Sequence, residues 1–279
     1  MRPLAVIAFA ACGGAAVSDT RAFVEQPLAT APGLSGLDVD QHGDAWAVAE
    51  RAKTAYRISG NAVETFAIEN VPVDHDLEAI VALGGGRFAF GSEGKAAEPS
   101  QILFAHRDGK RILITDAMQV GAADAGLPEE ANHGIEGLCG DDRSLVAGLE
   151  SVGTTGGKRW APVLRIEAGA VVRAHHLWLT SATGKLSALD CRRLPDGTFD
   201  VLAIERHFEI TRILRFTLGE AIEITPRIAL DLGATLHGRL NLEGIAWLPN
   251  GDVIAVTDNQ WKTITGPSLL LRLRPGSVE

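Results

Sequence analysis

The chain has 279 residues, 46% of them hydrophobic and 5% aromatic, with 31 glycines and a formal net charge of −9. That length supports one large domain or two smaller ones, and so many glycines without a low-complexity tract fit a fold of many turns better than disorder. No run of Lys and Arg offers a footprint for a phosphate backbone, which excludes nucleic acid as a partner, and only the N-terminus holds a long apolar stretch.

That N-terminus joins one basic residue, Arg2, to a short apolar core and a small-residue run ending at Cys12, which predicts an export signal over residues 1–18. Phe9-Ala10-Ala11-Cys12 is similar to a bacterial lipobox, with Phe9 in place of the usual Leu. Two outcomes follow: a lipid anchor at Cys12 as the one membrane contact of a periplasmic or outer-membrane lipoprotein, or a cleaved Ala-x-Ala-type signal and a soluble periplasmic protein. Residues 19–279 are expected to form a single domain. Within them, the apolar run Ala22–Val24, broken off by Pro27 and Pro32, is expected to be a strand that closes the last structural unit.

A repeated hairpin organises the rest. Its copies begin at Ser35-Gly36-Leu37, Glu78-Ala79-Ile80, Glu136-Gly137-Leu138, Ser187-Ala188-Leu189 and Glu243-Gly244-Ile245, and each turns about seven residues later, in the last copy at Asn250-Gly251. The second strands end on Glu50, Glu93, Glu150, Glu205 and Asp258. Starts roughly 40 to 60 residues apart are the length of a four-stranded unit, so the expected fold is an all-β β-propeller of five blades, with six as the alternative. Outer strands are expected near Ala55–Ile58 and Ala62–Phe66, Gln101–Ala105 and Arg111–Thr115, Pro162–Ile166 and Ala170–His175, Ile210–Thr217 and Ala221–Leu230, and Ser268–Leu273. A loop or short helix is expected over Asp116–Asn132.

Gly153-Thr154-Thr155-Gly156-Gly157-Lys158-Arg159 lacks the first glycine and the final hydroxyl residue of a phosphate loop, and reads as a flexible loop. Gly33–Leu37 lacks the last glycine of a nucleophile elbow, which disfavours a serine-triad hydrolase. Cys139 and Cys191 occupy neighbouring units one position out of equivalence and read as free buried thiols rather than a disulfide.

Antiparallel return places the opening and closing residues of each hairpin at the same end. Up to eight carboxyl groups then converge on one mouth, where mutual repulsion raises pKa values and favours a bound cation. Calcium, with six to eight oxygen ligands in loose geometry, is the expected cofactor, held by Glu78, Glu136, Glu243 and Asp258. Glu136, Glu243 and His133, three residues ahead of Glu136, are the catalytic candidates. Arg51, Arg206, His207 and Lys262 follow closing acids and are expected to hold an anionic or ester-bearing small molecule. The competing expectation is that the acids only accept hydrogen bonds from neighbouring blades. The protein is expected to be monomeric.

Six segments carry a family resemblance: Gly33-Leu34-Ser35-Gly36-Leu37, Asp76-Leu77-Glu78-Ala79-Ile80, Asn132-His133-Gly134-Ile135-Glu136-Gly137-Leu138, Ala203-Ile204-Glu205-Arg206-His207-Phe208, Asn241-Leu242-Glu243-Gly244-Ile245 and Val256-Thr257-Asp258-Asn259. In their order and spacing the chain resembles the exported phytase-like family, described as having esterase-like activity of phytase; it departs at Ala79, where Gly is usual. The resemblance implies a propeller and a hydrolase of esters or phosphoesters. A calcium-dependent lactonase-like propeller, suggested by Glu243 with Asp258-Asn259, and a non-catalytic envelope-binding module are the alternatives.

Overall fold

The computed structural model describes residues 23–236, 240–260, 266–274 and 278. The export signal, the lipid site at Cys12 and Lys262 lie outside the described residues.

After β1 (Phe23–Pro27), the strands form successive antiparallel meanders. The first holds β2 (Leu34–Val39), β3 (Ala45–Ala49), β4 (Thr54–Ser59) and β5 (Ala62–Glu69). The second holds β6 (His75–Gly84), β7 (Arg87–Gly94), β8 (Ser100–Asp108) and β9 (Arg111–Val120), and joins the first through a parallel β5–β9 contact. The third holds β10 (Ile135–Gly140), β11 (Ser144–Leu149), the short β12 (Gly153–Thr155), β13 (Lys158–Glu167) and β14 (Ala170–Trp178). The fourth holds β15 (Lys185–Arg193), β16 (Phe199–His207), β17 (Ile210–Leu218) and β19 (Arg227–Asp231), while β18 (Glu223–Ile224) crosses to pair with β14. The last holds β20 (Asn241–Trp247), β21 (Val253–Asp258) and β22 (Leu269–Leu273), and β1 completes it by pairing with β22 from Phe23↔Leu273 to Pro27↔Leu269.

The first strands pack side by side in the order β2, β6, β10, β15, β20 and back to β2. A ring of meanders whose first strands surround an axis is a β-propeller. Burial explains the sequence pattern: β20 is buried at every position, whereas β5 and β9, at the outer edges, alternate between buried and open residues. Between the first two meanders the core is aromatic, with Trp46 4.8 Å from Phe88 and 5.1 Å from Phe66 between ring centres.

Three expectations are corrected. Asp116–Asn132 is not all connection, because β9 runs on to Val120 and a single 3-10 turn follows at Ala122–Ala125. Gly153–Arg159 is a β12–β13 hairpin, since Gly156 and Gly157 take the positive φ of a tight turn and let the strands pair on either side. Cys139 and Cys191 form a disulfide, at a Cα separation of 5.6 Å, that ties β10 to β15.

Every first strand has a break in pairing register at the same place: Ser35/Leu37, Leu77/Ala79, Ile135/Gly137, Leu186/Ala188 and Leu242/Gly244. The residue left unpaired is Gly36 in β2 and Glu78, Glu136, Ser187 and Glu243 in the others. A bulge re-aims one side chain without ending the strand. A small residue there lets neighbouring first strands meet: in β10 it is Gly137, next to the bulged Glu136, where a Cβ would lie 2.4 Å from the Leu189 backbone nitrogen, and in β2 it is the bulged Gly36 itself, where a Cβ would lie 2.5 Å from Ala79 Cα. These contacts close the axis just beneath the bulged residues, so the acids stand on a floor rather than at the lip of an open channel.

Candidate carboxylate site

Above that floor lies an open basin of about 650 Å³ lined by Glu50, Arg51, Glu78, Glu93, Asn132, Glu136, Glu150, Glu243, Asp258 and Gln260. The bulges supply Glu78, Glu136 and Glu243; the ends of β3, β7, β11 and β21 supply Glu50, Glu93, Glu150 and Asp258. Among the described residues, seven carboxyl groups therefore share one cavity with one lining cation, Arg51, which pairs with Glu50 at 2.9 Å.

Their protonation follows from this crowding. Burial pushes Glu136 well above the usual carboxylate range, and the charges of Glu150, Glu78, Glu243 and Glu93 push it further. Glu78 is raised in the same way, first by burial and then by Glu50 and Glu93, against an opposing hydrogen bond from Ser35 Oγ at 2.7 Å. Burial takes Glu243 to about 8 although Arg206 and Asn241 favour its charged form. Glu93 reaches about 7 through burial and the charges of Glu150, Asp76 and Glu50, with Lys185 opposing.

Glu243 and Asp258, expected side by side, are joined through Asn241, whose Nδ2 donates to Glu243 Oε1 at 2.7 Å and to Asp258 Oδ2 at 3.0 Å. Arg206 reaches across from β16 and donates from its terminal nitrogen to Glu243 Oε1 at 2.5 Å. Glu243 is 9% exposed, and its second oxygen, Oε2, is buried without a hydrogen-bond partner among the described residues, as is Arg206 Nε. An unpaired buried acceptor costs about 1–3 kcal/mol, which a ligand offering a positive charge or a donor would recover.

His133 belongs to a half-buried cluster beside the basin. Its Nδ1 donates to Ala131 O at 3.1 Å, which leaves Nε2 to accept from Lys185 Nζ at 3.0 Å, and Lys185 also pairs with Glu150 at 3.3 Å. Nothing in the sequence marks Lys185, which opens β15 two residues ahead of Ser187 and follows no closing acid.

The fourth meander breaks the pattern. Ser187 stands at its bulge and donates to Leu242 O at 3.0 Å. Glu205, expected at the mouth, is fully buried and turned into the Thr180–Gly184 loop, where the amides and hydroxyls of Thr180 and Ser181 donate to it. This one acid follows the structural reading. His207 ends β16 with its ring edge-on to Phe208, 4.2 Å away, and does not line the basin.

Oxygen donors in excess and a carboxylate oxygen without a partner, with no thiolate among the described lining residues, suit a hard divalent cation better than zinc. Among the described residues, no three His, Cys, Asp or Glu side chains are already drawn together as a metal site.

A family model, Phytase-like, described as esterase-like activity of phytase, matches residues 29–261. A search of curated proteins found no match. Among solved structures, the chain is similar to the PQQ-bound aldose sugar dehydrogenase of Streptomyces coelicolor, at 14% identity and a TM-score of 0.51 over 90% of this chain and 98% of that one. It is similar also to the soluble aldose sugar dehydrogenase of Escherichia coli in its apo-form, at 10% identity and a TM-score of 0.51 over 91% of this chain and 99% of that one. At such identities these likenesses speak for the propeller fold alone.

Proposed function

From the premise that this chain belongs to the Phytase-like family, we propose that it is an exported hydrolase of ester or phosphoester bonds acting in the carboxylate basin. The observation that carries the reading is the convergence of seven carboxyl groups on one basin, with Glu136 held well above the ordinary carboxylate range and Glu93 raised to about 7. Such a set supplies both a proton donor and a proton acceptor near neutral pH.

Glu136, held in its acid form, gives its proton to the leaving alcohol oxygen. Glu93, poised near neutrality, takes a proton from the attacking water, whose oxygen forms the new bond to the acyl carbon or phosphorus as the ester bond breaks. Proton return from Glu93 restores Glu136. Arg206 and Arg51 orient the substrate's oxygens. His133 keeps Lys185 against Glu150, a supporting rather than reacting position.

Calcium fits the donor set: Glu78, Glu136, Glu243 and Asp258 would hold it, and when bound it would offset the excess negative charge and polarise the substrate oxygen. Glu136 cannot both coordinate a cation and donate a proton, so a calcium titration separates the two roles. Export agrees with the Cys139–Cys191 disulfide, which persists in oxidising compartments, and anchoring through Cys12 would make the protein a lipoprotein.

The mature protein should hydrolyse 4-nitrophenyl acetate or 4-nitrophenyl phosphate, with Glu136→Gln slower by about 100-fold or more. Loss of turnover to a chelator would assign Glu136 to the metal. A protein that turns over neither substrate nor a lactone, with or without calcium, would be a binding module instead.

A further inference from the structure

The fourth-meander side of the mouth has its own distinctive residue. β16 and β17 are joined by two residues, Phe208 and Glu209, between the last pair His207↔Ile210. Phe208 has φ +45, whereas Glu209 is not among the residues of positive φ. In a two-residue hairpin this places Phe208 where a glycine is favoured.

The protein follows that rule elsewhere. The first turn residue is Gly60 between β4 and β5, Gly85 between β6 and β7, Gly109 between β8 and β9, and Gly156 between β12 and β13, all with positive φ. Ala168 is a milder departure between β13 and β14, and Phe208 is the bulky one. A bulky side chain in this region is strained, and the strain is not offset by burial, since Phe208 is 77% exposed. His207 braces the ring edge-on.

Position gives the ring a use. β16 ends at the carboxylate mouth, where Arg206 reaches Glu243, and Phe208 lies two residues on, about 7 Å farther along the chain. Glu205 and Ser187 have withdrawn from the basin on this side. On this side the turn presents Phe208 between Arg206, which reaches the basin, and Glu209.

We propose that Phe208 is a substrate-specificity residue, a rim platform for the flat apolar part of an ester or phosphoester whose polar end lies in the carboxylate basin. The proposal rests on the hydrolase reading for the bond that is cleaved, but not for binding. An aryl group stacked on Phe208 gains contact that a methyl group in its place lacks.

The test compares wild type, Phe208→Gly and Phe208→Tyr. Calorimetry with phenylphosphonate and methylphosphonate reads binding; phenyl and methyl phosphates and acetates read KM and kcat. Phe208→Gly should keep or raise the unfolding midpoint, because glycine accepts this φ. It should weaken phenylphosphonate about 5- to 10-fold and raise KM for phenyl substrates by the same factor, with kcat and the methyl compounds unchanged, while Phe208→Tyr keeps the wild-type preference.

Equal changes for phenyl and methyl compounds, or none, would overturn the proposal. So would Phe208-dependent sedimentation with phosphatidylcholine vesicles without phenyl preference, which would make the ring a membrane contact. If phenylphosphonate binding depends on Phe208 but nothing is hydrolysed, the hydrolase reading fails and the platform stands. If hydrolysis proceeds without aryl preference, the platform fails and the hydrolase reading stands.

Discussion

The first strands carry buried and half-buried acids at both ends, under similar electrostatic stress and with different partners. At the basin, Glu136 makes no hydrogen bond among those described and Glu243 leaves one oxygen unpaired. At the far end, burial takes Asp38 to about 6 and, with the charge of Asp38 added, Asp190 to about 8. Yet Asp38 accepts from the Ala82 amide at 2.6 Å, and Asp190 from the amides of Trp247 and Cys191, each at 2.7 Å. These aspartates tie the first meander to the second and the fourth to the last. Ser35 and Ser187, three residues ahead of them, make the same ties at the basin end. A raised pKa alone therefore does not mark a functional acid here; the missing partner does.

The sharpest way to break this contrast is to neutralise one acid of each kind. Glu136→Gln should reduce ester or phosphoester turnover by about 100-fold or more while leaving the unfolding midpoint unchanged, as no hydrogen bond is lost and a neutral acid is replaced by a neutral amide of the same shape. Asp190→Ala should do the reverse: it strands two backbone amides and should cost about 2–4 kcal/mol in a denaturant titration, with kcat of the folded fraction unchanged. Equal effects of both substitutions on turnover would erase the distinction between the two ends.

The disulfide lies on the structural side of the comparison, closing a separation of 52 residues beside Asp190. Its reduction should cost about 3–4 kcal/mol in the same titration without changing KM. A change in KM would mean that the far end shapes the basin.

The two ends also differ in how they respond to pH. Because the folded pKa of Asp190, about 8, lies above the ordinary value of 3.8, its contribution is fully present below about pH 4 and is lost as pH rises through about 8. Asp190→Asn should flatten the fall of stability between pH 4 and 8, whatever it does to the baseline. Activity should instead rise with pH through about 7 as Glu93 loses its proton, then fall as Glu136 loses its own.

The smallest effect expected is a calcium-dependent rise of a few degrees in the unfolding midpoint, larger in wild type than in Glu243→Gln and equal in wild type and Asp190→Asn. A shift that Asp190→Asn abolishes and Glu243→Gln spares would move the cation to the far end.

Much of this molecule is local and was legible in the chain. Short apolar runs around turn residues specify hairpins through period-two alternation and positive φ, and their recurrence specifies a ring; a small residue beside each opening position marks where first strands touch. Glu78, Glu136, Glu243 and Asp258 could be placed at one mouth because antiparallel return needs no knowledge of distant contacts. Contacts between units were not legible. Glu205 has the same place in its hairpin as Glu150 and differs only because a loop some 25 residues earlier folds back with four donors. Cys139 and Cys191 pair because packing of β10 against β15 sets their separation, which the one-position offset in the repeat could not give. The strain at Phe208 exists only once its neighbours pair as His207↔Ile210. Backbone geometry over a few residues decides strands and turns; which buried polar groups find partners is decided by the closing of the ring.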